Sequence, residues 1–316
     1  MPLTVHVTAT RGSLGCLDTG SGPLTTLSSN PGTIFQAYSN TARIDARTNG
    51  ATWNGSVNQP IRITGGDDLC WTGGLVKGTF NSATSWDAMH NTGGFQIRLT
   101  MPRFRIEGLR VHNYGDGFQI HDSVVVGGEP KDGWSVNGCH FSWMRDDGFQ
   151  NDFGHAGTID DCFFNHCFVG YSSRPFDATV PDNSSKVVNI TNCLWRLTDM
   201  PTGFAGPGHG RMWKLDNSLQ PGWSGTPRDP KFRLINNIIL VTTVQNCCGD
   251  FYIPPDSRVV ESVGNTMVWL TGTGFPDTVS TGWTVVTSSQ AAWDARAADW
   301  IARHPGVDNT NYTIPA

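Results

Sequence analysis

The stretch from residue 104 to 171 says nearly the same thing twice. Asn113-Tyr-Gly-Asp-Gly-Phe-Gln-Ile-His-Asp122 is followed by Arg145-Asp-Asp-Gly-Phe-Gln-Asn-Asp152. Each copy follows a short apolar run with glycine at its centre, Ile106-Glu-Gly108-Leu-Arg-Val111 and Val136-Asn-Gly138-Cys-His-Phe141. The same six-residue unit recurs around Gly73, Asp161, Asn192, Asn237 and Asn265. The central residues are separated by 35, 30, 23, 31, 45 and 28 positions. A repeat with a fixed base and variable additions marks stacked coils whose loops grow on one side. Each unit reads as two short strands joined at a tight bend, because Gly, Asn and Asp tolerate left-handed backbone. Stacking places the bend residues in a column about 4.8 Å apart.

This pattern predicts an all-β solenoid. Residues 1–60 form an N-terminal cap and irregular first coil, 61–287 the coils, and 288–316 a capping helix and tail. Composition agrees: 37 Gly and 18 Pro supply turns, and 24 of the 27 acids are Asp, which favours turns where Glu favours helices. The helix is expected over Ser289–His304, with Trp293, Ala297, Trp300 and Ile301 on one face and Pro305-Gly306 as its stop. Its role is to cover the last coil, since an open coil end is a sheet edge.

Equivalent positions in a stack point the same way. Cys139, Cys162 and Cys193 each follow a bend directly, so they form a column of small buried thiols. The eight cysteines show no obvious disulfide framework, and Cys162-x4-Cys167 lacks the second pair of a zinc site. A net charge of −5 disfavours nucleic acid as partner. There is no run of 18 apolar residues, so no membrane span is expected, and Met1-Pro-Leu-Thr-Val shows no signal peptide.

The candidate chemistry lies in the repeated acids. Counting from the bend aligns Asp116 with Asp146, whereas matching Asp-Gly-Phe-Gln aligns Asp116 with Asp147. Either register gathers Asp116, Asp146 and Asp147, with Asp122 and Asp152 at the downstream end. Carboxylates one coil apart repel, so one tends to keep its proton near neutrality. A protonated and an ionised carboxyl flanking a glycosidic bond would support hydrolysis. Carboxyls on one side would alternatively bind Ca²⁺, and Asp also serves simply to cap turns. His209 and His155, both beside glycines, are candidate acid/base or substrate-binding groups. Arg174, Arg211 and Lys214 would suit a uronate or sulfate group, and Trp213 a sugar ring. His209, Arg211, Trp213 and Lys214 fall in the longest addition, residues 199–230, which also holds Trp223.

Bend-centred coils with a cysteine column and one-sided loops resemble the right-handed parallel β-helix proteins: pectate lyases, polygalacturonase-type glycosidases and phage tailspikes. The resemblance covers roughly residues 61–270. It implies recognition of polysaccharide along one face, with cleavage by a hydrolase or lyase mechanism. A more local likeness is to the polygalacturonase-like order of motifs, here Asn113 to Asp116, Asp146-Asp147, Gly208-His-Gly210 and Arg211 to Lys214. It departs by an extra residue in the first motif, by the 61 residues between the acid pair and Gly-His-Gly, and by the close spacing of the last two motifs. The tailspike likeness implies a homotrimeric, extracellular or virion-borne protein, and the unpaired-looking thiols fit assembly in a reducing cytoplasm. A non-catalytic structural or glycan-binding β-helix is the alternative.

Overall fold

The computed structural model describes residues 15–98, 103–121, 132–174, 182–215, 227–304 and 314. The chain is all-β with two large parallel sheets and few helices, consistent with an all-β solenoid. Among the described residues, nine strands, from Leu24–Thr26 to Val259–Val263, make one sheet, and fourteen make the other. Successive strands alternate between ladders, and each pairs in parallel with the strand one coil later. The strands His140–Gln150 and Phe163–Ser173 bend around a corner, so the larger sheet has two faces. The first half of His140–Gln150 pairs with Arg110–Tyr114 and the second with Asp116–His121.

The bends are left-handed as the sequence predicts at Gly73, Gly108, Gly138, Asp161 and Asn192, with φ between 50° and 79°. In the last two units the left-handed residue comes one position early, at Asn236 and Gly264. Asn237 and Asn265 therefore continue the cysteine column. Asn237 Nδ2 donates to Asn265 Oδ1 at 2.9 Å, and Cys193 N–H donates to Asn237 Oδ1 at 3.0 Å. This short ladder satisfies amides that would otherwise be costly to bury. The three thiols lie as expected, each near backbone carbonyls, and burial first and then its column neighbours push the Cys162 thiol well above its usual range.

Several features differ from the sequence expectation. Four cysteines are paired, as Cys16–Cys70 and Cys247–Cys248, which removes the thiol argument for a reducing assembly site. The ladders also start before residue 61, since Leu24–Thr26 and Ile34–Ala37 already pair with later coils. The C-terminal helix runs Ala291–Arg303 and buries Trp293, Ala297 and Trp300 against Phe163, Leu194 and Leu240. It therefore lies along the side of several successive coils, reaching back to Asp161, and not over the last coil as expected. Its expected stop, Pro305-Gly306, lies outside the described residues. Short helices at Cys16–Thr19 and Trp86–Met89 and a 3-10 turn at Asp256–Arg258 were not expected.

The repeat is longer than its two evident copies. Register aligns Gly93-Gly-Phe-Gln96, Asp116-Gly-Phe-Gln119, Asp147-Gly-Phe-Gln150, Val169-Gly-Tyr-Ser172 and Arg211-Met-Trp-Lys214. The aromatic members stack inward as a ladder: Phe95, Phe118, Phe149, Tyr171 and Trp213, with centroids 5.2 to 5.9 Å apart. The glycines beside them let the corner close. A Cβ on Gly117 would lie 2.6 Å from the Gly148 carbonyl oxygen and 2.8 Å from a Phe141 ring carbon. Gly117→Ala is therefore expected to destabilise by about 1–3 kcal/mol, as overpacking does. Urea unfolding would measure it, and an unchanged midpoint would show that the corner has slack.

Candidate active site

The corner between the two faces of the larger sheet carries the acids. Phe118 pairs with Phe149 and Gln119 with Gln150, which puts Asp116 level with Asp147. Asp146 is an extra residue in the second copy, inserted at a register shift between Met144 and Asp147. Counting from the bend therefore misaligns the copies, and matching Asp-Gly-Phe-Gln aligns them. The bulge brings both carboxyls of the Asp-Asp pair beside Asp116: one oxygen from each of the three lies within 4.8 Å of the others.

All four acids are enclosed. Asp116 and Asp147 are fully buried, Asp152 is 3% exposed and Asp146 is 6% exposed. Asp116 accepts from Asp147 N–H at 3.0 Å and from Gln119 Nε2 at 2.6 Å. Asp147 binds Lys214 Nζ through both oxygens, at 3.1 and 3.3 Å, and Asp146 meets the same ammonium at 3.6 Å. Asp152 accepts from Ser172 Oγ, from Arg174 N–H at 2.9 Å and from Gln150 Nε2 at 3.0 Å. Lys214 comes from strand Trp213–Leu215, which pairs with Phe163–Ser173. That strand lies within the stretch expected to be one long loop.

Burial sets the electrostatics. It pushes Asp146 up to about 8, helped by Asp147 and Asp152 and opposed by Lys214. Burial, then the Asp147 charge, pushes Asp152 up to about 6. Asp116 lies well above the usual carboxylate range through burial, then Asp146 and Asp147. Burial alone would lower the Lys214 ammonium, but Asp146, Asp147, Asp152 and Asp116 outweigh it and hold it above the usual lysine range.

These carboxyls keep protons in the folded state that the unfolded chain releases near pH 4. Folding stability therefore falls as pH rises from about 4 through about 8. Asp45, Asp67 and Asp161 are shifted down and work in the opposite direction, losing their contribution only in stronger acid. The unfolding midpoint should be several degrees higher at about pH 5 than at about pH 8.5 in a calorimetric scan. A flat profile across that window would mean the acids are not desolvated.

The other candidates divide. Arg174 holds Asp152 through its backbone, while its guanidinium donates to Asp250 Oδ2 at 2.9 Å. Arg211 aligns with the acid column, but its guanidinium meets Gln245, the Asp250 carbonyl and Asp277. Trp213 is not a sugar platform: it is 1% exposed, closes the aromatic ladder and donates Nε1–H to the Tyr252 carbonyl. His209 is fully buried, and its ring nitrogens face the carbonyls of Gly210 and Thr243. That packing gives it no open edge for substrate. His155 is 7% exposed, and its backbone is bracketed by the Asn151 amide. Asp122 and Trp223 lie outside the described residues.

Sequence reading missed Gln119, Gln150 and Ser172, which bind the acids, although glutamine recurs in each Asp-Gly-Phe-Gln copy. It also missed Arg145, whose buried guanidinium donates to the Phe80 and Asn81 carbonyls and Asn113 Oδ1, fastening the preceding loop.

Asp116, Asp146 and Asp147 are the one group among the described residues whose spacing suits a metal ion. Ca²⁺ takes six to eight oxygens. Here Asp116 already accepts two N–H donors and Asp147 is bound at both oxygens by Lys214. As arranged, these oxygens are held by N–H donors and by the Lys214 ammonium. No helix among the described residues is long and apolar enough to cross a membrane. Comparison with protein-family models, with curated proteins and with solved structures found no match.

Proposed function

We propose that the chain is a right-handed parallel β-helix that binds a polysaccharide along its outer face and cleaves it at the acid corner. One observation carries this reading. A carboxyl raised to about 8, Asp146, sits beside a second carboxyl bound at both oxygens by a lysine, Asp147. Asp146 is the more exposed of the two and would protonate the leaving oxygen. Asp147 would stabilise the positive charge that develops on the sugar, and Asp152, which is ionised above about pH 6, would serve as base. Arg174 orients Asp152, and Lys214 fixes Asp147.

The likeness to tailspikes supports a homotrimer, extracellular or virion-borne. The Cys16–Cys70 and Cys247–Cys248 bonds favour an oxidising environment for the mature protein. A second reading rests on burial. Asp116 and Asp147 are wholly enclosed, as expected if the cluster only ties coils together in a non-catalytic structural or glycan-binding β-helix.

A panel of bacterial and plant polysaccharides separates the readings. New reducing ends without absorbance near 235 nm would indicate hydrolysis, and new ends with that absorbance a lyase. Retention of a glycan without cleavage would leave only binding. Neither cleavage nor retention across the panel would sink the proposal.

A further inference from the structure

The acid corner is one end of a row of side chains that the register carries back toward the N-terminus. Phe35, Arg62, Gln96, Gln119, Gln150, Ser172 and Lys214 are successive partners across seven coils. They lie on the side away from the aromatic ladder. The middle of the row is closed by hydrogen bonds: Gln96 Nε2 donates to Gln119 Oε1, and Gln119 Nε2 donates to Gln150 Oε1. At its upstream end the chemistry changes. Arg62 and Arg98 are both half-buried and repel each other. Most other arginines of the described residues have a carboxylate or a carbonyl partner, whereas neither of these does. Arg62 Nε is enclosed with no hydrogen-bond acceptor. Its guanidinium lies over the Phe35 ring, 5.1 Å from the centroid, and Phe35 is 62% exposed.

The register pairs Arg62 with Gln96 on the neighbouring strand, and Arg98 lies two residues beyond Gln96 on the same face. Two like charges so placed cost stability, and burial followed by the Arg98 charge pushes Arg62 below its usual range. A packing role would be met better by neutral side chains. An arrangement that a folded chain tolerates only at a cost has a use when a ligand supplies the missing charge.

We propose that Arg62 and Arg98 form an anion subsite that holds a carboxylate or sulfate group of the glycan, with Phe35 beneath the adjoining sugar ring. The subsite rests on the polysaccharide reading above and narrows it to an acidic glycan. Arg62 stands three strand spacings, about 14 Å, from Gln150 at the acid corner. The ligand therefore runs along the stack, with its charged group held several sugars from the bond that is cut. Arg62 and Arg98 touch no reacting atom in this scheme and act in binding.

Affinity electrophoresis tests it, in gels containing dextran sulfate, polygalacturonate or uncharged dextran. The wild type should be retarded by a charged polymer and not by dextran, and which charged polymer does so separates sulfate from carboxylate recognition. Arg62→Gln and Arg98→Gln should each weaken that retardation about tenfold, as loss of a charged hydrogen bond does. Arg233→Gln, on the nine-stranded sheet, should leave it unchanged. The unfolding midpoint of Arg62→Gln should equal or exceed that of the wild type. Equal retardation of all variants by a charged polymer would overturn the subsite while leaving glycan binding intact. Retardation by dextran alone would do the same. No retardation in any gel would overturn the subsite, and the polysaccharide panel would then decide the wider reading. A lower midpoint for Arg62→Gln would overturn the subsite, since it would show that the arginine stabilises the fold through its contact with Phe35.

Discussion

Asp146→Asn should reduce polysaccharide cleavage by about 10²–10⁴-fold, the range for loss of a positioned acid or base. Its cost in stability near neutrality should be close to nothing. The carboxyl it replaces already keeps its proton up to about pH 8, so an uncharged amide of the same shape changes little. Above pH 8 the variant should be the more stable protein, because it has no buried charge to form. Asp147→Asn should also remove cleavage, but with a loss of stability, since Lys214 loses its charged partner and one of the two oxygens that accept from it. Reducing-end assays and urea unfolding on the same samples read both quantities. Wild-type turnover in both variants would make the acid cluster structural and move the search to another face.

Lys214→Met should produce the largest fall in stability. The ammonium is bound to Asp147 and Asp146, and two further carboxylates act on it. Methionine keeps most of the length and apolar surface but leaves buried acids without a cation. Removing one partner of a buried pair costs about 3–5 kcal/mol. The loss should be greatest near pH 8 and smaller near pH 5, where Asp152 and Asp146 already hold their protons and fewer charges are left without a cation. A pH-independent loss would mean that Lys214 matters for packing alone. Lys214→Met with Asp147→Asn should recover part of the stability, since the double variant removes charge of both signs.

The stack was legible in the sequence because its bends need left-handed backbone, and only a few residue types supply it. Gly73, Gly108, Gly138, Asp161 and Asn192 announce five coils directly. The sixth and seventh were displaced by one residue, because Asn236-Asn237 and Gly264-Asn265 each offer two residues suited to the bend. Only burial decides between them. The acids were visible as repeated letters, yet their alignment was not: an inserted residue at a corner shifts side chains without disturbing the hydrophobic pattern. Lys214 could be named but not placed. Its strand is three residues long, and its copy of the repeat, Arg-Met-Trp-Lys, shares no residue type with Asp-Gly-Phe-Gln. The Cys247–Cys248 pair was invisible because neighbouring cysteines bond only under a turn geometry that spacing does not reveal. Trp213 misled because a tryptophan beside charged residues reads the same whether its ring faces a ligand or a core.

The lysine that balances the acids lies 67 residues after Asp147 in the chain. On a ribosome adding 5–20 residues per second, the acid corner exists for roughly 3 to 13 s before its counter-charge is made. During that interval the upstream coils must carry the carboxyls as protonated groups or leave the corner open to water. A nascent chain halted before Lys214 lacks the cation that meets Asp146 and Asp147 in the finished fold.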